Sequence, residues 1–108
     1  MKNLKFQDPL PEMVLSGEKN TTWRIDDERE ITVNDILSLR TVEGEEFARA
    51  KVLWTKMTTF DSLSEEDRRG HESFESEEEM LQTYSDYYDM DVDGDTEVKV
   101  IRFEVFDR

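Results

Sequence analysis

Alternation of apolar and polar residues along the chain predicts five β-strands. The clearest pattern spans residues 47–59, where one face of the predicted strand carries Ala48, Ala50, Val52 and Trp54. Successive side chains of a strand point to opposite faces, so this spacing indicates one buried face. The alternation is lost near residues 55–57, which predicts a bend or bulge there. The other predicted strands are residues 4–6, 19–25, 36–42 and 96–106.

Three helices are predicted from capping residues and helical spacing. The first follows Asp8, the expected N-cap, and ends at Gly17. The second begins at Ser64 with acidic residues in its first turn. The third begins with a capping box between Ser76 and Glu79. Its apolar face consists of Met80, Leu81, Tyr84, Tyr87 and Tyr88.

The order of these elements indicates the fold class. Connections are short and no strand–helix–strand rhythm repeats, which predicts an α+β fold: a small mixed, mostly antiparallel β-barrel of about five strands with two or three short helices. A length of 108 residues fits one domain, residues 1–108. The last strand is apolar on both faces around Val100 and Ile101, so we expect it under a helix or in the middle of the barrel. The predicted core consists of Phe6, Leu10, Val14, Leu37, Leu39, Val52, Met80, Tyr84, Ile101 and Phe103.

The chain is strongly acidic, with 28 Asp and Glu residues against 14 Lys and Arg residues and a formal net charge of −14. Such a surface repels nucleic acid at low salt and destabilises the fold by self-repulsion. A basic partner would relieve the repulsion, and so would molar salt, in which the Debye length falls to about 3 Å. Because the acidic residues are dispersed along the chain, we favour the interpretation that the protein is halophilic.

Composition also bears on the cellular compartment. The sequence contains no Cys, which excludes disulfides and cysteine-based zinc sites. No apolar run approaches the ~20 residues of a membrane span, and the first residues lack the apolar stretch of a signal peptide. We therefore expect a cytoplasmic protein with no membrane partner, and we take a monomer as the default.

The densest group of candidate chemical residues lies in residues 17–24, which contain Lys19, Thr22 and Arg24. Two cations beside a hydroxyl can bind an anion, a polar heterocycle or an acyl group, but an ordinary strand with basic residues facing water has the same pattern. If Thr22 is a nucleophile, Lys19 is the nearest base, with a pKa lowered by burial or by the charge of Arg24. Residues three apart face opposite sides of a strand, so the two converge only if Lys19 precedes the strand or a bulge intervenes. We expect both to lie outside the core.

Two further motifs give weaker signals. His71 is the only histidine, and we expect it to cover the end of the Ser64 helix, with a proton shuttle as the alternative. One histidine cannot form a zinc site without further strong ligands. Residues 89–95 imitate the first half of a calcium loop, but position 12 of that loop is Val100 instead of Glu. The segment fits a solvated acidic turn, so we predict neither a metal nor a cofactor.

Taken in order, these features resemble the ASCH domain family, which is similar to PUA domains, small β-barrels associated with RNA. The resemblance is carried by Gly-x-Lys-x-x-Thr-x-Arg at residues 17–24, after an apolar helix, and by Asn-Asp at residues 34–35, where the family usually has Gly-Asp. It continues through residues 58–63 and 72–79 and the last strand, residues 98–104, and so covers nearly the whole chain.

Some small bacterial members of this family are N4-acetylcytidine amidohydrolases. The resemblance therefore implies a PUA-like fold with a small pocket for a pyrimidine nucleoside or an RNA base. It implies Thr22 as the nucleophile, Lys19 as the base or electrophile, and Glu72 as a partner that handles protons. Other members have no demonstrated chemistry, so the alternative is a non-catalytic RNA-binding module of PUA-like type. The candidate residues for binding the substrate or RNA are Arg24, Trp23, Trp54, Arg49 and Lys51.

Overall fold

The computed structural model describes all 108 residues and contains one five-stranded sheet and three α-helices. The strands are β1 (Lys2–Phe6), β2 (Thr21–Arg24), β3 (Ile36–Thr41), β4 (Glu46–Thr59) and β5 (Glu97–Asp107). The helices are α1 (Leu10–Ser16), α2 (Glu65–Arg68) and α3 (Glu77–Tyr88), with a 3₁₀ turn at Phe60–Ser62. None of the helices is both long and apolar enough to cross a membrane.

The sheet is mixed and curves into a half-barrel with the strand order β1-β3-β4-β5-β2. β1 pairs with β3 in parallel, and every other neighbouring pair is antiparallel. β4 and β5 form the longest ladder, in which residues 49–59 of β4 lie opposite residues 97–107 of β5. This topology confirms the predicted α+β class with a mostly antiparallel sheet, and β5 lies inside the sheet as expected.

The bulge in β4 lies two residues earlier than predicted. Val52 is opposite Phe103 and Trp54 is opposite Arg102, so Leu53 is the additional residue. Residues 55–59 pair with β5 without a shift. Their alternation is lost for a different reason: the pairing of β3 with β4 stops at Lys51, so this end of β4 has a neighbour on one side only. Both of its faces are consequently half-buried or exposed, and neither needs apolar residues.

The start of α1 also differs from the prediction. Pro9 occupies the N-cap position instead of Asp8, and no side chain caps the helix. The predicted end is correct: Gly17 has a left-handed conformation with φ of 89°, and its N–H donates to Val14 O. The chain leaves the helix at this glycine, and the Lys19 N–H returns to Met13 O. As a result β2 starts only at Thr21 and is shorter than the predicted strand over residues 19–25.

The predicted caps of the two later helices are present. The Ser64 hydroxyl accepts from the Asp67 N–H, and the Asp67 carboxylate accepts from the Ser64 N–H, which together form a capping box on α2. On α3 only half of the predicted box is present. Ser76 accepts from the Glu79 N–H, but the Glu79 carboxylate accepts from Glu75 N–H instead of the Ser76 N–H.

Two hydrophobic clusters form the core, and β5 contributes to both. The first lies between α1 and the sheet and includes Phe6, Val14, Leu39 and Phe103. The second lies under α3 and consists of Trp23, Ile25, Phe60, Met80, Tyr84, Val92, Val98 and Val100. All of the predicted core residues are buried except Leu10, which is half-buried. Ile101 belongs to the first cluster and Val100 to the second, which explains why this strand is apolar on both faces.

Leu39→Ala should lower the free energy of unfolding by about 2–5 kcal/mol, because Leu39 is 0% exposed and its truncation leaves a cavity in the first cluster. Urea unfolding monitored by tryptophan fluorescence measures the loss. Leu53→Ala is the matched control: Leu53 is 43% exposed on the bulge of β4, and its truncation should cost less than about 0.5 kcal/mol. Equal losses for the two variants would contradict the assigned faces of these strands.

Candidate functional site

A cavity of about 200 Å³ lies where the two core clusters meet. The end of β1 and the start of α1 form one wall, β2 forms the floor, and α3 forms the opposite wall. Three cationic side chains and one carboxylate line it, in a protein whose net charge is −14. The lining residues are Lys5, Phe6, Gln7, Leu10, Lys19, Thr22, Trp23, Arg24, Glu72, Tyr84, Tyr87 and Tyr88.

Lys19 enters the cavity from the loop between α1 and β2. It therefore precedes the strand, which is one of the two arrangements under which Lys19 and Thr22 can approach the same space. The residue is only 2% exposed. Its Nζ donates to Thr21 O at 2.7 Å and to Glu72 Oε1 at 2.5 Å. One position on Nζ remains without a partner in the chain, and Lys19 lines the cavity.

Glu72 reaches Lys19 from the loop between α2 and α3. Gly70, in the same loop, is hydrogen-bonded to the start of β2. Gly70 O accepts hydrogen bonds from the N–H groups of Asn20 and Thr21. Gly70 has a φ of +77°, which favours glycine, and a Cβ added to it would lie 1.8 Å from Asn20 Oδ1 and so displace that side chain. The Thr21 hydroxyl also donates to Arg69 O. These contacts bring the Glu72 carboxylate, 53 residues away in sequence, to Lys19.

Burial and charge shift the pKa values of this pair in a direction that suits proton transfer. Burial lowers the pKa of Lys19 to about 8, although the charge of Glu72 opposes the shift, and the charge of Arg24 lowers the pKa further. Burial alone would raise the pKa of Glu72, but the charge of Lys19 and the hydrogen bond from it hold that pKa below its usual value. With a pKa of about 8, Lys19 is mostly protonated at pH 7 but has an accessible neutral form, while Glu72 stays ionised.

Thr22 lies on β2 and is 4% exposed. Its Oγ1 accepts from Arg24 Nε at 3.1 Å, as expected for residues two apart on one face of a strand. The Arg24 guanidinium also donates from Nη2 to Lys5 O and lies 5.0 Å from the centre of the Phe6 ring. Thr22 shares the cavity with Lys19 without a direct hydrogen bond to it.

Both Lys19 and Thr22 are buried, so the expectation that they lie outside the core was wrong. Both residues lie in a mostly polar segment of the sequence, and such segments are usually exposed to solvent. Two features bury them: the loop that carries Glu72 covers Lys19, and the face of β2 that carries Thr22 and Arg24 packs toward β1, where Arg24 contacts Lys5 O and the Phe6 ring. The variants used to test this site must therefore preserve side-chain volume.

The other predicted binding residues are less close together. Trp23 reaches the cavity wall but is 2% exposed, stacks on His71, and donates from Nε1 to Asp67 O. Trp54 packs against the guanidinium of Arg102, outside the cavity lining. Arg49 pairs with Glu46 on the sheet, and Lys51 is exposed on β4. Of the five candidates, Arg24 and Trp23 line the cavity.

Sequence reasoning missed the three tyrosines of α3 as site residues. Tyr84, Tyr87 and Tyr88 were assigned to an apolar face that packs on the sheet, and Tyr84 does so. Tyr87 is 44% exposed at the cavity, with its ring edge-on to Tyr84. The Tyr88 hydroxyl accepts from Ile25 N–H. The sequence did contain one sign of this role, namely the phenolic hydroxyls. A helix face that only packs on a sheet can be built from apolar side chains without hydroxyls.

The remaining motifs lie away from the cavity lining or behind it. His71 follows α2, and its N–H donates to Arg68 O, so it is at the expected helix end; its ring, however, is buried. In the acidic turn, Asp93 Oδ1 accepts from Asp95 N–H and from the Thr96 hydroxyl. No group of three or more side chains suitable for holding a metal ion occurs in the chain.

Several solved structures share this architecture. The ASCH domain from Lactobacillus crispatus superimposes with a TM-score of 0.70 over 91% of this chain and 70% of that chain, at 12% sequence identity. ASCH from Zymomonas mobilis superimposes with a TM-score of 0.64 over 94% of this chain and 65% of that chain, at 14% identity. The chain has the fold of an ASCH domain. The hypothetical protein PH0355 has the same fold, with a TM-score of 0.74, coverage of 98% and 100% of the two chains, and 25% identity.

No protein-family model and no curated protein matches the sequence. The likeness to ASCH structures therefore establishes the fold, and a fold alone does not determine an activity. In this ASCH fold the features that bear on function are the cavity and the residues that line it.

Lys19→Ala should lower the free energy of unfolding by about 3–5 kcal/mol, because it opens a void and leaves the carboxylate of Glu72 without its cation. Urea unfolding measures the loss. The double variant Lys19→Met with Glu72→Gln keeps unbranched side chains of similar size, with Met one atom shorter than Lys, and removes both charges, so it should lose much less. Arg69→Ala, which removes an exposed ion pair with Glu66, should cost less than about 1 kcal/mol. If the double variant is as unstable as Lys19→Ala, the ion pair is not the cause.

Proposed function

We propose that this protein is an amidohydrolase that removes the acyl group from the exocyclic amine of an N4-acylated cytosine nucleoside such as N4-acetylcytidine. The observation that carries the proposal is the buried pair of Lys19 and Glu72, which opens into the same cavity as the hydroxyl of Thr22. Amide hydrolysis needs a nucleophile, a proton acceptor and a proton donor to the leaving amine. Thr22 supplies the nucleophile, and Lys19, which Glu72 holds in place, accepts the proton and then donates it.

In the proposed reaction, Thr22 Oγ1 attacks the acyl carbonyl and its proton passes to the neutral amine of Lys19. The C–N bond then breaks, and the Lys19 ammonium donates a proton to the leaving nitrogen. Water hydrolyses the acyl-threonine ester, which releases the carboxylic acid and restores the hydroxyl. The net reaction is amide plus water to amine plus carboxylic acid.

The contacts of Lys19 suit the role of a base. When its amine is neutral, the two remaining N–H bonds are held by Thr21 O and Glu72 Oε1. The lone pair must then occupy the remaining tetrahedral position. A pKa of about 8 keeps a useful fraction of this neutral form near pH 7, while the protonated form remains available as the acid of the second step.

Arg24 has a suitable position to stabilise the oxyanion. Its Nε donates to Thr22 Oγ1 and its Nη2 to Lys5 O, which fixes the plane of the guanidinium beside the nucleophile. Nη1 has no partner in the chain. A cationic donor fixed before the reaction stabilises the negative charge that develops on the carbonyl oxygen.

The size and lining of the cavity support a small planar substrate. Ligand pockets for drug-sized molecules span about 300–1,000 Å³. A cavity of about 200 Å³ is smaller, which suits the acyl group and the pyrimidine with the sugar at the mouth. The half-exposed ring of Tyr87 offers a surface at the mouth on which the substrate can stack. It would take the place of Trp23 and Trp54, the aromatic binding residues predicted from the sequence. A neutral nucleoside is also not repelled by a net charge of −14.

RNA binding without catalysis is less well supported. It requires cations that face phosphates, but Arg49 is paired with Glu46, and neither Arg49 nor Lys51 lines the cavity. The acidic surface opposes approach of a polyanion at low salt. Lys5 and Arg24 alone give a small basic surface at the cavity.

Wild-type protein should release cytidine from N4-acetylcytidine, and Thr22→Val should reduce turnover by at least about 10³-fold, because valine keeps the shape of threonine and lacks the nucleophilic oxygen. Chromatography of the released cytidine measures the rate. Thr22→Ser keeps an oxygen in place and should retain much more activity than Thr22→Val.

Two results would contradict the proposal. Undiminished turnover by folded Thr22→Val would remove Thr22 as the nucleophile. No turnover of N4-acyl cytosine nucleosides by folded wild type, together with RNA binding that is lost in Arg24→Gln, would favour the RNA-binding function. Circular dichroism of each variant establishes that it is folded before its rate is compared.

The pH dependence should distinguish a basic from an acidic role of Lys19. If the neutral amine accepts the proton of Thr22, kcat/KM should rise about tenfold per pH unit below the Lys19 pKa of about 8 and level off above it. A rate that is flat below pH 8 and falls above it would show that the ammonium form is the active one. Initial rates between pH 5.5 and about 9.5 at constant ionic strength give the profile.

A further inference from the structure

A buried histidine stands behind the Lys19–Glu72 pair and outside the cavity lining. The side chain of His71 is 1% exposed, and its ring stacks on Trp23 with 3.6 Å between centroids and an interplanar angle of 11°. Nδ1 lies 2.9 Å from Glu72 O and 3.1 Å from Glu72 Oε1. Nε2 lies 3.0 Å from the hydroxyl of Tyr84.

These contacts select one tautomer of His71. Both oxygens near Nδ1 belong to Glu72, one a carbonyl and one an ionised carboxylate, and both can only accept. Nδ1 must therefore carry the hydrogen. In the neutral ring Nε2 is then an acceptor, and the Tyr84 hydroxyl donates to it. Hydrogen bonds therefore run from Tyr84 through His71 to the carbonyl of Glu72, and the carboxylate of the same residue accepts from Lys19.

We propose that His71 is a positioning residue of this site: as the neutral Nδ1–H tautomer held by Tyr84, it fixes the main chain of Glu72, and with it the carboxylate, against Lys19. Lys19 Nζ donates to Oε1, and His71 Nδ1, which donates to Glu72 O, lies 3.1 Å from the same Oε1. Oε2 has no partner within the chain and Glu72 lines the cavity, so Oε2 is the oxygen available to a substrate or a water molecule. The consequence for turnover rests on the proposed amidohydrolase function, whereas the positioning of Glu72 does not.

The surroundings of the ring explain why it is uncharged. The groups that face it are Glu72, the phenol of Tyr84, and the cations Lys19 and Arg24. Burial, followed by the charge of Lys19, lowers the pKa of His71 to about 3, although Glu72 opposes the shift. A neutral imidazole can donate a hydrogen bond to Glu72 without adding a charge that would compete with Lys19.

The tautomer is tested first, on the wild-type protein. The chain has one histidine, so a ¹⁵N NMR spectrum of histidine-labelled protein contains one pair of ring signals. We expect a protonated Nδ1 and an unprotonated Nε2 throughout pH 5–9, the range over which a histidine of ordinary pKa near 6.5 would titrate. An Nε2–H tautomer, or titration of the ring within that range, would overturn the proposal.

The positioning is tested by the pKa of Glu72, measured by ¹³C NMR of labelled glutamate. His71→Phe combined with Tyr84→Phe keeps a stacked aromatic ring and leaves no unsatisfied hydroxyl. It removes the hydrogen bond that holds Glu72 O and the Nδ1–H that lies 3.1 Å from Oε1, so the pKa of Glu72 should rise. His71→Asn, whose amide N–H lies the same number of bonds from the backbone as Nδ1, should restore a low value. Phe74→Leu, which alters packing on His71 and Trp23 without changing a hydrogen bond, should leave that pKa unchanged.

Activity gives the second measurement. The double phenylalanine variant should lose about 10- to 100-fold in kcat with little change in KM, the size of effect found when residues that orient a functional group are removed. An unchanged pKa of Glu72 in the folded double variant refutes the positioning role. A raised pKa in a protein that has no amidohydrolase activity, even as wild type, refutes only the proposed function.

Discussion

The amine of Lys19 is held inside the protein beside a single carboxylate, and much of the local structure serves that arrangement. A buried ammonium is tolerated only when hydrogen bonds and a counter-charge replace its water. Thr21 O and Glu72 Oε1 provide both. The same desolvation that makes the burial costly moves the pKa of Lys19 toward neutrality, so the instability of the site and its capacity for proton transfer have one cause.

The position of the cavity follows from the way the sheet divides the core. β5 supplies residues to the cluster under α1 and to the cluster under α3, and β2 lies at the edge of the sheet beside it. The two clusters are packed by separate helices, and the gap between these helices is the cavity. Polar groups converge there because the loops before β2 and after α2 both end at this gap. The site is therefore built by loops on a rigid sheet, a common arrangement for functional residues.

Much of this structure could be predicted from local patterns, and the failures have physical reasons. Alternation located β3, β4 and β5, and Gly17 and Ser64 correctly marked helix boundaries, because these signals act within a few residues. The burial of Lys19 and the contact of His71 with Tyr84 could not be predicted in this way. The first depends on a loop 53 residues later in sequence, and the second joins that loop to α3 across 13 residues; no local period records either contact. The family resemblance supplied Lys19, Thr22 and Glu72 as a set. That the tyrosines of α3 line the same cavity could be seen only in the structure.

Position 70 combines two restrictions that are usually separate. Its backbone conformation penalises every residue with a β-carbon, and a β-carbon would also displace the side chain of Asn20 at the start of β2. The carbonyl of Gly70 holds the N–H groups of Asn20 and Thr21, so strain at this glycine acts first on the loop that brings Glu72 to Lys19. In evolutionary terms, we expect substitution at this position to act on the ion pair before it acts on the two clusters of the core.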